Sequence, residues 1–113
     1  MSTPRVIDLG DKLGSFDELW SPRIIAELNG QHVKLAKVRG SFEWHHHESE
    51  DELFLVVAGE LVIDLRDGRL TLGPGQCCVI PRGVEHRPRA DVETHLLLFE
   101  PAGTLNTGNV RGE

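Results

Sequence analysis

Residues 44–60 read WHHHESEDELFLVVAGE, three consecutive histidines that run into carboxylates and then into an apolar segment. In an extended chain successive side chains point to opposite faces. His45 and His47 therefore project to one face, whereas Trp44, His46 and Glu48 project to the other. The pattern predicts two imidazoles side by side on one surface of the fold, with the middle histidine pointing away from them.

Two further residues are candidates for the same site. Glu52 begins the apolar run that follows the histidines, and His86 follows a turn-like segment, PRGVE, later in the chain. Together with His45 and His47 they offer three neutral imidazoles and one carboxylate. Such a set suits divalent iron, manganese, cobalt, nickel or zinc and leaves open positions for water or substrate. The alternative is that the cluster is a solvated acidic loop.

A zinc-protease helix is excluded, because Asp51 stands where the second histidine of His-Glu-x-x-His would have to be. The rest of the chain shows a period of two after residue 20, which is typical of β-strands. Asn29-Gly30 and Asp67-Gly68 each separate two such runs and favour tight hairpins. We expect further strands at 53–58, 76–80, 84–89 and 93–99.

About eight or nine short strands, with no alternation of strands and helices, predict an all-β domain: a closed barrel or a two-sheet jelly roll. Residues 11–20 favour one short helical turn ahead of Pro22. We expect a single domain over residues 1–113, with a core barrel at about 22–100 and a surface tail at 101–113. Leu61, Ile63 and Leu65 share one face and are expected to enter the core.

Composition limits the partners. The 113 residues carry 12 basic and 18 acidic side chains, a formal charge of -6, which disfavours nucleic acid and anionic membranes as partners. No apolar run approaches the roughly 20 residues that cross a bilayer, and the N-terminus shows no secretion signal. We therefore expect a cytoplasmic protein, in which the adjacent Cys77 and Cys78 are buried, reduced thiols.

The sequence resembles one known family at two places. Residues 45–59, HHHESEDELFLVVAG, resemble the first cupin motif: His-x-His, four residues, Glu, six residues, Gly. Residues 75–86, GQCCVIPRGVEH, resemble the second: Gly, five residues, Pro-x-Gly, two residues, His.

The resemblance implies a small double-stranded β-helix, the jelly-roll or cupin barrel, that binds one metal ion through His45, His47, Glu52 and His86. Cupin-like chains of this size resemble homodimers that pair through edge strands. Residues 23–28, RIIAEL, and residues 5–9, RVIDL, are the candidate edges.

Neighbouring residues could contribute to such a site. His95 shares a strand face with Leu97 and Phe99 and is expected to look into the barrel, as a core residue, a support for the ligands, or an acid or base. Glu43 lies on the face of His45, at the rim or in the pocket. Phe42, like Trp44, is expected on the opposite face, packed against another strand or a second subunit.

Basic residues are expected to lie outside the site. Arg87 and Arg89 alternate with His86 and should face outward, and with Arg82 they favour a solvated surface. No inward Lys or Arg is evident beside the ligands, which disfavours a sugar-phosphate isomerase.

Three functions remain open on the sequence. The first is a small metalloenzyme of oxygenase, isomerase or lyase type that acts on a small organic molecule. The second is a module that binds a metal or small ligand without turnover. The third is a structural dimeric barrel that the metal merely stabilises.

Overall fold

A computed structural model describes residues 3–104, which form one short helix and seven strands. In chain order these elements are α1 (Leu9–Leu13), β1 (Arg23–Leu28), β2 (Gln31–Ser41), β3 (Glu52–Ala58), β4 (Leu61–Leu65), β5 (Gly68–Leu72), β6 (Cys77–Ile80) and β7 (His86–Pro101). All the strand pairings are antiparallel. The predicted all-β fold with a short helical turn is confirmed. Most of the expected surface tail, residues 105–113, lies outside the described residues.

The longest strand, β7, connects the two halves of the fold. Its first half pairs with β4, and its second half pairs with β3. Along its other edge β2 pairs with both halves, from Ser41 opposite Arg89 to Gln31 opposite Pro101. The two strands predicted at 84–89 and 93–99 are therefore one strand, because β2 pairs with both parts of it, with a register shift between Val38 and Gly40 at the polar interval.

The first predicted hairpin is confirmed. β1 and β2 meet at Asn29-Gly30, whose φ angles are 51° and 75°. Positive φ at both central residues is what a two-residue turn with the twist of the strands requires, and Asn and Gly tolerate it best.

The second hairpin is present, but its turn lies one residue earlier than predicted. Leu65 pairs with Gly68, so the two turn residues are Arg66 and Asp67, and Gly68 is the first residue of β5. Neither turn residue has a positive φ. The strand pairing therefore sets this register, and the Asp67-Gly68 dipeptide does not supply the turn.

The helix is shorter than the predicted segment and begins before it. The Asp8 side chain accepts a 2.8 Å hydrogen bond from the backbone N–H of Asp11 and so caps the N-terminus, and Gly14 stands at the C-cap. Leu13 and Phe16 then pack on Leu35 at the outer face of β2, where they form a second, smaller apolar cluster.

The main core lies on the inner faces of the strands. Leu61 and Ile63 are fully buried and Leu65 packs against them, as predicted. Ala36, Val38, Phe54, Val56, Leu72, Ile80, Ala90, Leu96 and Leu98 complete the cluster. Cys77 is exposed and Cys78 half-buried, both as free thiols, so the expectation that both are buried is wrong. Among residues 3–104, no helix has the length and apolar character needed to span a bilayer.

Candidate metal centre

Four side chains from separate parts of the chain meet at one end of the interior. His45 and His47 lie in the connection between β2 and β3, Glu52 begins β3, and His86 begins β7. One potential ligand atom from each lies within 4.8 Å of the others, and all four residues are buried. The structure thus brings together the four residues that the sequence indicated.

Backbone pairing aligns two of these histidines. His45 and His86 form an antiparallel bridge in which each N–H donates to the other residue's carbonyl, at 3.0 and 2.9 Å. Their rings consequently lie with centroids 4.3 Å apart. His46 is half-buried and Glu48 exposed, whereas His45 and His47 are both buried, as the predicted alternation requires.

Backbone carbonyl groups orient the rings of His45 and His86. Nδ1 of His45 lies 3.0 Å from the carbonyl oxygen of Glu43, and Nδ1 of His86 lies 2.9 Å from that of Val84. Because a carbonyl can only accept, each Nδ1 is the protonated, donating nitrogen, and each Nε2 keeps its lone pair. Glu43 therefore supports the site through its backbone, while its side chain is exposed.

Several nitrogen atoms at the centre of the cluster make no hydrogen bond within residues 3–104. Among the described residues, Nε2 of His86 and both ring nitrogens of His47 are buried without a hydrogen bond. Nε2 of His47 lies 3.3 Å from Oε1 of Glu52, and Nε2 of His86 lies 4.0 Å from the same oxygen. Buried nitrogens are normally satisfied, so lone pairs converging on one carboxylate fit a bound divalent cation.

The electrostatics of the site keep the imidazoles neutral. Burial, only partly opposed by the hydrogen bond to Val84, lowers the pKa of His86 to about 4. Burial is also the main cause that lowers the pKa values of His45 and His47. Neutral imidazole is the form that binds a metal, so these rings are competent ligands at neutral pH.

A buried contact between a lysine and a glutamate lies behind Glu52. Nζ of Lys34 is 2.8 Å from Oε1 of Glu100, and both side chains are buried. Burial and the adjacent carboxyl of Glu52 raise the pKa of Glu100 to about 8. Burial also raises the pKa of Glu52, although Glu100 and Lys34 oppose that effect. A pKa of about 8 favours the protonated form of Glu100 at neutral pH.

Lys34 and Glu100 were missed by the sequence analysis. The expectation that no basic residue faces inward is wrong, because Lys34 precedes Ala36 and Val38 on the inner face of β2. Glu100 similarly follows the inward residues Leu96 and Leu98. Extending the alternation of Ala36 and Val38 by one step would have found Lys34, whereas Glu100 follows only once the inner face of β7 is known.

His95 does not reach the site. Thr94 and Leu96 are buried on the inner face of β7, so His95 between them points to the opposite face. There its Nε2 lies 2.8 Å from the Glu93 carboxylate. The expectation that His95 looks into the barrel is therefore wrong.

Phe42 lies in the interior, where the sequence did not expect it. Its ring meets that of His45 edge to face at 5.4 Å and stacks on Trp20 at 4.9 Å. Both aromatic residues line a cavity of about 460 Å³, counted with its open mouth, whose wall also includes His45 and Glu52. Residues 42–44 form no strand, so strict alternation does not hold across them.

Trp44 and the arginines lie on the outside, as predicted. Trp44 is covered by the guanidinium groups of Arg66 and Arg87, at 3.9 and 5.5 Å from its ring centre. Arg87 and Arg89 both bind the Asp64 carboxylate. A separate ion pair joins Arg82 to a carboxylate at the β2–β3 connection. None of these arginines carries charge toward the cavity.

The fold and the site together define the class of protein. Residues 31–100 match the family model described as Cupin domain, and the chain belongs to the cupin superfamily. The predicted barrel class and family are thereby confirmed.

Three proteins are similar to this chain in sequence or in structure. A Bacillus subtilis (strain 168) protein named "Uncharacterized protein YdbB" is 43% identical over 77 residues, which are 67% of this chain and 68% of that protein. A cupin-2 domain containing protein from Shewanella frigidimarina is 48% identical, with a TM-score of 0.84 over 85% of this chain and 94% of that one. Protein NMB1881 from Neisseria meningitidis is 33% identical, with a TM-score of 0.79 over 87% and 100%.

Proposed function

We propose that this cupin binds one divalent metal ion through His45, His47, Glu52 and His86 and acts with it on a small organic molecule. The observation that carries the proposal is the convergence of buried, unpartnered imidazole nitrogens on one carboxylate. Three nitrogens and one oxygen leave positions in an octahedral shell at which a substrate could bind. The ion would be iron, manganese, zinc, nickel or cobalt.

The chain's own residues would have defined tasks in this reaction. The carbonyls of Glu43 and Val84 hold two imidazoles in one tautomer, with Nε2 toward the ion. Glu100 and Lys34 support Glu52 from behind. The apolar cavity beside His45 and Glu52 receives the organic molecule and excludes water. When bound, the metal supplies Lewis-acid or oxygen-binding chemistry, and the reaction class is an oxygenation, isomerisation or elimination.

Metal content tests the ligand set. We would measure bound iron, manganese, cobalt, nickel and zinc by mass spectrometry in untagged protein and in His47→Ala and Glu52→Gln. His46→Ala is the matched control, because it removes the adjacent ring that points away from the cluster. We expect about one ion per chain in the wild type and in the control, and loss from the other two. Full occupancy in all four proteins would contradict the proposal.

A binding module without turnover is the second candidate, and one observation favours it. Among the residues that line the cavity, the only ionisable side chains belong to His45 and Glu52, so no separate acid or base faces a bound molecule. Incubating the metal-loaded protein with small organic molecules under air, followed by oxygen uptake and product analysis, distinguishes the two. Binding without any product would favour the module. If no small molecule binds and removal of the metal only lowers the melting temperature, a structural barrel is favoured.

We further propose that the chain forms a homodimer. β1 is the strand at one end of the sheet order, and it exposes Ile24 and Leu28. An unpaired strand edge with exposed apolar residues is a surface that a second copy can cover. Sedimentation of wild type and Ile24→Lys would test this, with a monomer expected for the variant. We also propose that the protein is cytoplasmic and binds neither nucleic acid nor membranes. The acidic net charge and the two free cysteines support this proposal.

A further inference from the structure

The cavity beside the candidate ligands is nearly closed in this conformation. Counted without its open mouth, it has a volume of about 50 Å³. A single water molecule needs about 10–15 Å³, so this is room for a few waters. Sites that hold small organic molecules have roughly 300–1,000 Å³. An organic molecule can therefore reach His45 and Glu52 only if part of the wall moves.

Three side chains form the mouth of this cavity. Of the eleven lining residues that the structure describes, eight are buried, and Trp20, Pro22 and Phe42 are half-buried. The rings of Trp20 and Phe42 stack on each other, with centroids 4.9 Å apart. Seven of the eight buried residues lie in β2, β3 or β7, whereas Trp20 and Pro22 lie in the connection between α1 and β1. That connection is the part of the wall that can move without breaking the sheet.

The connection is fixed at both ends. Phe16 is buried in the smaller apolar cluster, and its carbonyl accepts a 2.6 Å hydrogen bond from Nζ of the buried Lys37. Arg23 begins β1 at the other end. Between these two points lies the segment of residues 17–22, which we call the strap. Residues 17–19 are exposed, so the first half of the strap lies on the surface.

Two hydrogen bonds join Trp20 to β2. Its backbone N–H donates to the Lys37 carbonyl at 2.8 Å, and its indole N–H donates to the Arg39 carbonyl at 2.9 Å. The pairing of β1 with β2 ends at Leu35, and the strap lies beside β2 beyond that point. Water can replace both hydrogen bonds when the strap leaves, so their net contribution to closure is modest.

The backbone of Trp20 is strained in the closed position. Its φ is 58°, in the left-handed region that bulky residues rarely adopt. Strain of this kind persists only where the surroundings hold it, and it is concentrated at clamps and switch regions. Release of the strain favours opening of the strap, whereas the stacking on Phe42 and the two hydrogen bonds favour closure.

We infer that Trp20 is a gate. The strap moves away from the mouth of the cavity while Phe16 and β1 stay in place, and the indole leaves Phe42 so that an organic molecule can enter. The opening is a property of the strap itself. Its purpose, which is to admit a molecule to the candidate metal centre, deepens the proposed function and rests on it.

Hydrogen exchange of the wild-type protein, followed by nuclear magnetic resonance, provides the first test. The indole N–H of Trp20 exchanges when the strap opens, whereas the backbone N–H of Leu98, in β7 between β2 and β3, exchanges when the sheet opens. We expect a protection factor at least about a hundredfold lower for the Trp20 indole than for the Leu98 N–H. Equal protection would mean that Trp20 leaves only when the whole sheet unfolds, and it would overturn the inference.

Entry of a small organic reagent provides the second test. Metal-free protein is treated with diethyl pyrocarbonate, which acylates neutral imidazole, and each modified histidine is measured by mass spectrometry. We expect His45, His47 and His86 to react about tenfold faster or more in Trp20→Ala than in wild type. His95, on the outer face, is the internal reference and should react equally in both proteins. Equal rates at the three buried histidines would contradict the gate.

Matched variants separate opening of the mouth from loss of structure. Trp20→Phe keeps a ring at the mouth and should react at nearly the wild-type rate. Far-ultraviolet circular dichroism checks that each protein is folded. If Trp20→Ala does not fold, Trp20→Leu removes the ring but keeps an apolar side chain, and the same acceleration is expected for it.

Failure of this inference can be distinguished from failure of the proposed function, because neither test depends on bound metal. A protein that takes up no metal but whose Trp20 opens independently of the sheet would keep the gate and overturn the metal proposal. A protein that takes up one metal ion per chain, but whose Trp20 is as well protected as Leu98, would keep the proposed function and overturn the inference.

Discussion

The Nζ atom of Lys34 lies 2.8 Å from Oε1 of Glu100 in the barrel interior, beside the candidate ligand Glu52. Glu100 sits between one cation and a second carboxyl, and a proton on Glu100 leaves this group of three charge-balanced. The arrangement explains how two carboxyl groups can share a buried space without mutual repulsion. Lys34 and Glu100 therefore each lose their buried polar partner if the other side chain is removed.

Removal of one partner should therefore cost more than removal of both. We expect Lys34→Met to lower the free energy of unfolding by about 3 kcal/mol, because two acidic groups then remain buried without a cation. Lys34→Met with Glu100→Leu should recover most of that loss. Denaturant unfolding measures both. A double variant less stable than the single one would contradict this account.

Gly59 should tolerate no side chain. A Cβ there would lie 2.4 Å from Oγ1 of Thr94 and 2.8 Å from its Cα, at a φ of 92°. We expect Gly59→Ala to destabilise the fold by about 3 kcal/mol or more, from overpacking added to backbone strain. Gly75→Ala is the matched control, since its φ is 81° but no atom lies within 4 Å of a Cβ. The control should lose only about 1 kcal/mol, from strain alone. Equal losses in thermal unfolding would exclude the steric explanation.

The surface ion pairs of Asp64 should depend on pH. Hydrogen bonds from Arg89 and Arg87 lower the pKa of the Asp64 carboxyl. The folded protein thus favours the ionised form, and the associated stability is present above the unfolded pKa of about 4 and is lost as the pH falls through the folded value. We expect Asp64→Asn to melt at a lower temperature than wild type at pH 7. The difference should shrink toward pH 3, and a constant difference would argue against the ion pairs.

Metal should stabilise the fold through the candidate ligands. At a free metal concentration 100 times the dissociation constant, a one-site ion stabilises the native state by about 2.7 kcal/mol. We expect chelation to lower the melting temperature of wild type and of His46→Ala by similar amounts. His86→Ala should melt at the same temperature with and without added metal. A metal-dependent rise in that variant would mean that the ion binds elsewhere.

Local patterns in the sequence were enough to predict several features of the structure. The alternation at residues 45–47 indicated that His45 and His47 lie side by side, because side-chain direction in extended chain follows a period of two. The resemblance to the two cupin motifs added Glu52 and His86 to this pair. The Asn29-Gly30 hairpin was equally predictable, since few residue pairs accept positive φ at both positions. The alternation and the hairpin turn both depend on backbone geometry within a few residues.

Only the tertiary structure decided which face of β7 is inside. Residues 96–99 are all apolar, because the inner face packs in the barrel while Leu97, on the outer face, packs under α1 and Phe16. With apolar residues on both faces, alternation cannot choose between His95 and Glu100 as the inward side chain. Phe42 is a similar case, because the irregular backbone of residues 42–44 returns it to the cavity. The sequence alone determined the candidate ligands, whereas packing decided what surrounds them, since burial depends on partners distant in the chain.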